Sequence, residues 1–270
     1  MSTVGIIGVG RMGTPIMGHL VRRGHEVRAF DLNADRRKAV EEAGAAWCDD
    51  AEELARESEY MLICVGYDRD VTDLTTRDGG LLDTAKQGSV IAILSTVLPE
   101  TVEALAVLGQ DKGIDVVDAT VCRGSWFADD GTLLTFIGGS DEAFARLKDI
   151  VSAYSSDVVH SGPAGTSQVC KAANNLVLWA CLIADHEAFA LAERYGVDIE
   201  VLRQALLVSS ATNGALSLWG KQTMAWAEDD LVIVGAMANQ KGIGLPQAGL
   251  NREICRSLLP RRYDLSQYGV

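Results

Sequence analysis

Basic charge is what this 270-residue chain has least of: 24 lysines and arginines stand against 37 aspartates and glutamates, a formal net charge of −13. Nucleic acid demands a basic surface to match its phosphates, so it is not an expected partner. The N-terminal MSTVGIIGVGRMG has no basic n-region followed by a long apolar stretch, and no run of about 18 uncharged apolar residues occurs. The expectation is a cytoplasmic protein with no membrane partner. Six cysteines, at 48, 64, 122, 170, 181 and 255, show neither CxxC spacing nor dense clustering. A metal knuckle or disulfide framework is therefore not expected, and reduced, mostly buried thiols are. No repeat of 20 to 50 residues and no low-complexity tract interrupts the chain.

With 48% hydrophobic residues, the chain can bury a large core and is long enough for two domains. Thr3 to Gly8 is a short β-branched apolar run. Gly8-Val9-Gly10-Arg11-Met12-Gly13 follows, and then a helical pattern through Ile16, Met17, Leu20 and Val21. In such a strand, turn and helix the first glycine allows a tight bend, the second close approach to a pyrophosphate, and the third helix-on-strand packing, while helix N–H groups receive the anion. Glu26 to Phe30 reads as a second strand ending at Asp31, where a carboxylate suits ribose hydroxyls and repels a 2′-phosphate. NAD is favoured; Arg36 and Arg37 keep NADP open. Further strands are expected at Tyr60 to Val65, Ser89 to Leu94, Ile114 to Asp118, Leu133 to Ile137 and Asp157 to His160, with helices between them. That alternation predicts a Rossmann-type, doubly wound, mainly parallel sheet over residues 1–162. Ligands of such sheets lie beyond the carboxyl ends of the strands, which points Val65, Gly66, Ser95, Thr96 and the loop from Ala119 to Gly131 at the cofactor crevice. Ser95 and Thr96 serve equally well as caps of a helix starting near Pro99. Residues 163–270 read as an all-helical substrate and dimerisation domain opening on a long helix, Ser167 to Tyr195.

Within that helix the run GTSQVCKAANN places Lys171 and Asn175 four residues apart, on one helix face. A lysine beside an amide can hold a substrate oxygen and move its proton; a solvated lysine and a surface asparagine are the plainer alternative.

These motifs resemble the β-hydroxyacid dehydrogenase family, which includes 3-hydroxyisobutyrate dehydrogenase, tartronate semialdehyde reductase and 6-phosphogluconate dehydrogenase relatives. Gly8 to Met17 is similar to the family's cofactor motif GxGxMGxPM, Ser95-Thr96-Val97 to its STV, Asp118-Ala-Thr-Val-Cys-Arg-Gly124 to its substrate loop DAPVSGG, and Gly165 to Asn175 to its catalytic GxGxxxKxxxN. The resemblance covers essentially the whole chain. It implies an NAD(P)-dependent oxidoreductase interconverting a small β-hydroxy acid and its aldehyde or keto form, in a homodimer or homotetramer. Lys171 would be the acid-base group, Asn175 would orient the hydroxyl, and Cys122, Arg123 and Gly124 would hold the acid. A lysine titrates near 10.4 when free, so base action near neutrality calls for desolvation and the nearby Arg123.

Two departures from the family pattern stand out. Cys122 and Arg123 occupy the places of the loop's Ser and first Gly, so either a guanidinium clamps a carboxylate, phosphate or sulfonate, or Arg123 is a counter-ion to Asp129 or Asp130. The late Lys-Asp motif becomes Asp229-Asp230, with Lys241 as the other candidate, and Ser209 to Ala227 is shorter than the family's region. Imine reduction on the same fold is the nearest rival, although its enzymes usually carry Asp or Tyr where Lys171 stands. A dinucleotide sensor with little catalysis is the other. No Tyr-x-x-x-Lys occurs, and His19, His25, His160 and His186 are scattered as structural residues.

Overall fold

The computed structural model describes residues 1–221 and 224–258. Gln222, Thr223 and residues 259–270, which fall in the expected helical domain, lie outside that description. In chain order the elements begin with β1 (Thr3–Ile7), α1 (Gly13–Arg22), β2 (Glu26–Phe30), a 3-10 turn at Ala34–Arg36 leading into α2 (Arg37–Glu42), β3 (Ala46–Trp47), α3 (Ala51–Glu57) and β4 (Tyr60–Ile63). They continue with α4 (Asp68–Thr76), α5 (Leu81–Thr84), β5 (Val90–Ile93), α6 (Pro99–Asp111), β6 (Asp115–Asp118), β7 (Val121–Cys122), α7 (Ser125–Asp130), β8 (Leu133–Gly138), α8 (Asp141–Val151) and β9 (Ser155–Gly162). Helices follow: α9 (Thr166–Arg194), α10 (Ile199–Leu207), α11 (Gly214–Ser217), α12 (Ala227–Gln240) and α13 (Pro246–Leu258).

The strands form one sheet in the order β3-β2-β1-β4-β5-β6-β8, with β7 and β9 each also paired to β8. From β3 to β6 every pairing is parallel, while β8 runs antiparallel to β6 and β7 and parallel to β9. The central strands are apolar on both faces because both faces are covered. Val4 and Ile6 of β1, Leu62 of β4, and Val90 and Ala92 of β5 share a core with Ile16, Met17 and Leu20 of α1 and with Leu147 and Ile150 of α8. Their neighbours in sequence, Ile7, Met61, Ile63, Ile91 and Ile93, belong to the opposite core with Leu54 of α3, Val71 of α4 and Leu105 of α6. The period-two division of side chains between two helix layers is what makes the sheet doubly wound.

All seven expected strands are present. Two-residue β3 and β7 escape the sequence reading because two residues show no periodicity. The chain divides into two compact units, Met1–Lys171 and Ala172–Val270. The first turn of α9 belongs with the sheet unit, because it is bonded to the ends of β5 and β6. In the second unit, Trp179, Leu182 and Ile183 of α9 pack with Ala215, Leu231 and Cys255, and Phe189 meets Trp219 edge to face at 4.7 Å. Among the described residues α9 is also long and apolar enough, by length and composition alone, to cross a membrane. That apolarity serves the core just described.

Candidate active site

The glycine turn joins β1 to α1, and each glycine has a distinct reason to be one. Gly8 has φ +92°, and a Cβ there would sit 2.3 Å from the Cys64 carbonyl oxygen. A Cβ on Gly13 would lie 1.9 Å from the Gly8 oxygen, whereas one on Gly10 would meet nothing within 4 Å. The first and third glycines are thus demanded by the protein's own backbone. The second faces open space, the place for a ligand to approach the main chain. Met12 packs on the core beneath, and Thr14 Oγ1 donates to Val9 O at 2.6 Å. Asp31, at the end of β2, reaches back to the turn: Val9 N donates to one carboxylate oxygen and Asn33 N to the other, both at 2.8 Å. These features fit a dinucleotide, with pyrophosphate at the start of α1 and the Asp31 carboxylate beside the turn.

Arg11 is not open to solvent on all sides. Its guanidinium is paired fork to fork with Asp129 of α7 at 2.8 and 2.6 Å. Gly10, Arg11, Thr14, Pro15, Arg36 and Asp129 line a groove of about 420 Å³. The same face of α1 carries His19, whose Nε2 meets the carbonyls of Ala128 and Asp129 at 3.1 Å.

Val65 N donates to Ser95 Oγ, and that hydroxyl donates back to Val65 O, each at 2.9 Å. Ser95 thus stitches the end of β4 to the end of β5. Neither Ser95 nor Thr96 caps α6, whose N-cap position is Leu98; Asp68 braces the start of the helix, accepting from Leu98 N at 2.8 Å and from Thr101 Oγ1. Gly66 follows Val65 at the end of β4, and Thr96 is half-buried at the end of β5.

In the loop after β6, Cys122 is buried and Arg123 has φ +85°, the single positive φ on a non-glycine among the described residues. A positive φ favours glycine, which the resembled motif carries at this place, and here an arginine adopts it. Its guanidinium lies 2.7 Å from Asp157 on β9 and donates to Thr132 O and Ser156 Oγ at 2.8 Å. On the counter-ion reading of Arg123, Asp129 or Asp130 was the expected partner. Asp157 takes that place, held below the usual carboxylate range by its bonds to Ser156 and Arg123, and Asp129 is occupied by Arg11. Gly124, with φ +81°, leaves open space around its α-carbon and precedes α7.

Lys171 is half-buried, and its Nζ donates to Val121 O at 2.8 Å, one residue before Cys122. Asn175 follows one turn later on α9, buried, its Oδ1 accepting from Asn174 Nδ2 at 3.1 Å. The late motif lands on the first turn of α12: Asp229 is exposed, Asp230 accepts from Trp179 Nε1 at 3.0 Å, and Lys241 is the C-cap of that helix.

What holds Lys171 in place was not read from the sequence. Asp118, fully buried at the end of β6, accepts from Gly165 N and Gln168 N, each at 2.9 Å. Burial pushes its carboxyl up to about 6 despite these amides. Thr120 N donates to Ser167 Oγ, and Gln168 bridges Val97 N and Ser95 O. The available signal was that Asp118 and Thr120 alternate at a strand end within the loop motif.

Residues 3–162 match the model for the NAD binding domain of 6-phosphogluconate dehydrogenase, and residues 165–264 match that for NAD-binding of NADP-dependent 3-hydroxyisobutyrate dehydrogenase. The chain is 32% identical to 3-hydroxyisobutyrate dehydrogenase of Pseudomonas aeruginosa, over 81% of this chain and 74% of that one. It is also 32% identical to 2-(hydroxymethyl)glutarate dehydrogenase of Eubacterium barkeri, over 79% and 71%. Among solved structures, 3-hydroxyisobutyrate dehydrogenase of Mycobacterium tuberculosis with L-serine has the same fold, at a TM-score of 0.86 and 24% identity over 97% and 94% of the two chains. With a glycine turn built for a dinucleotide and both family models matched in order, the chain belongs to the β-hydroxyacid dehydrogenase family and is an NAD(P)-dependent oxidoreductase acting on CH–OH groups.

Proposed function

We propose that this protein oxidises, reversibly, the primary alcohol of a small 3-hydroxy acid, with Lys171 as the acid-base group. The observation that carries this reading is the half-buried Lys171, whose Nζ lies 2.8 Å from Val121 O within the substrate loop. A lysine placed there has one N–H committed to the protein and others for a substrate oxygen. 3-Hydroxyisobutyrate, 2-(hydroxymethyl)glutarate and L-serine, named with the relatives above, share one core: a CH₂OH on the carbon that bears a carboxylate. That core is the proposed substrate class.

In the direction of oxidation, Lys171 as the neutral amine takes the proton from the alcohol oxygen and becomes the ammonium as the C–H bond of the carbinol carbon breaks, and the ammonium returns the proton in reduction. The bound nicotinamide supplies the acceptor for the departing hydride. Asn175, one turn along the helix, orients the hydroxyl. Backbone N–H groups from Cys122 to Gly124 hold the carboxylate. Because Arg123 is already paired with Asp157, its charge contributes less to the acid than an open guanidinium would. That favours a carboxylate over a sulfonate. Asp31 supports NAD over NADP, since its carboxylate at the end of β2 opposes a 2′-phosphate. The same reading makes the protein a cytoplasmic homodimer or homotetramer, and light scattering measures the latter.

The test is a panel of 3-hydroxyisobutyrate, 2-(hydroxymethyl)glutarate, L-serine and a hydroxysulfonate, with NAD and with NADP, followed by absorbance of the reduced cofactor. At least one carboxylate is turned over, and Lys171→Ala lowers kcat by about 10²–10⁴-fold with little change in cofactor affinity. Undiminished turnover in the variant removes Lys171 from the chemistry. Cofactor binding without reduction by any acid would favour a sensor.

A further inference from the structure

Asp118 has no place in the chemistry just proposed, and its burial is unfavourable unless it does something specific. An ordinary N-cap precedes its own helix by one residue. Here the cap of α9 comes from a strand 47 residues earlier. Its two oxygens divide the work, Oδ1 taking Gly165 N and Oδ2 taking Gln168 N. Two residues further, Thr120 binds Ser167 through backbone N–H and hydroxyl. One residue beyond that, Val121 O accepts from Lys171 Nζ. The segment from Asp118 to Val121 therefore grips both the base of the first turn of α9 and the head of the lysine side chain on the next turn. Space is reserved for the carboxylate, since a Cβ on Gly138 would lie 2.4 Å from Asp118 Oδ1.

We infer that Asp118 is the positioning residue for Lys171: its carboxylate sets the register and azimuth of the first turn of α9, so that the lysine Nζ lands on the substrate loop. The inference rests on the reading of Lys171 as the acid-base group, but the placement it describes is measurable without turnover. The clasp also depends on ionisation. A carboxylate accepts from both amides, whereas the protonated acid turns one oxygen into a donor facing an N–H. With the carboxyl pushed up to about 6 by burial, that change falls in an accessible range. The titratable groups around it are Cys170 and Lys171 on α9, Glu103 on α6 beside Gly165, and His160 on β9, whose Nε2 meets Gly139 O.

The experiment is competitive acetylation with acetic anhydride, mapped by mass spectrometry, with the exposed Lys38 as the internal reference. In wild-type protein the reactivity of Lys171 relative to Lys38 steps at a pH of about 6. In Asp118→Asn, where an amide N–H₂ opposes a backbone donor, and in Asp118→Ser, where the acceptor is too short, the step is absent. The ratio at pH 8 shifts by roughly threefold or more, as expected for groups in one hydrogen-bonded network. On any acid found to be turned over, kcat falls about tenfold or more in both variants while KM for NAD stays within about twofold. Variants whose ratio follows wild type at every pH overturn the proposal even if they melt at lower temperature. If no acid is turned over, the substrate reading fails while the labelling still decides the role of Asp118.

Discussion

Three side chains decide how far the chemistry was legible one residue at a time. Lys171 and Asn175 were visible because a spacing of four on a helix is a geometric statement that needs no tertiary knowledge. Arg123 was visible as an anomaly, but its partner was not, because Asp157 lies 34 positions away and reaches it only when β9 pairs with β8. Two terms oppose each other at Arg123: a left-handed backbone costs a non-glycine roughly 1–2 kcal/mol, and a half-exposed ion pair returns about 0–1. Arg123→Gly is therefore expected to change unfolding free energy by less than about 1 kcal/mol in urea titrations and to leave KM for the acid within about twofold. A tenfold rise in KM would restore the guanidinium to the acid pocket. For Asp118 the folded value of about 6 lies above the ordinary 3.8, so between those values the native protein holds a proton that the unfolded chain has released. Its contribution to stability is greatest below pH 3.8 and declines as pH rises to about 6, a change on the order of 3 kcal/mol. Comparing denaturation of wild type and Asp118→Asn at pH 4 and pH 7 isolates that slope.

At the scale of elements, the strands were read correctly where burial on both faces produced continuous apolar runs, as in Val90–Ile93. The antiparallel entry of β8 was not, since direction leaves no mark on composition. The start of α6 shows the same limit: Ser95 and Thr96 are near in sequence, but Asp68, 30 residues before Leu98, is the side chain that holds the Leu98 N–H. Ser95 instead satisfies both backbone groups of Val65, so Ser95→Ala leaves a donor and an acceptor without that partner and costs about 1–3 kcal/mol in a thermal or urea melt. The glycine turn gives the sharpest contrast between neighbours. Gly13→Ala forces a methyl onto the Gly8 carbonyl oxygen and should lower NAD affinity more than tenfold by calorimetry, with roughly 1–3 kcal/mol of lost stability. Gly10→Ala meets no protein atom within 4 Å, so it leaves stability nearly unchanged and acts on the ligand alone. Equal melting temperatures for the two variants would contradict this assignment.

For the whole molecule, the two-domain organisation was legible from the change in periodicity near Gly165, and the compact units part six residues into the long helix that begins there. The glycine turn and Asp31 lie in the first unit, so NAD at a hundred times its dissociation constant should stabilise that unit by about 2.7 kcal/mol. In calorimetry this appears as an upward shift of the transition belonging to residues 1–171, whether or not the second unit melts with it. A net charge of −13 repels an anionic dinucleotide at long range, so added salt should speed its arrival. The Arg11–Asp129 pair adds a kinetic consequence of its own. Asp129 is a resident anion on a guanidinium at the mouth of the phosphate turn, and an incoming phosphate that uses Arg11 must displace it. Cofactor association then becomes a partner exchange, with an observed rate that levels off at high ligand concentration, and Asp129→Asn would remove that plateau.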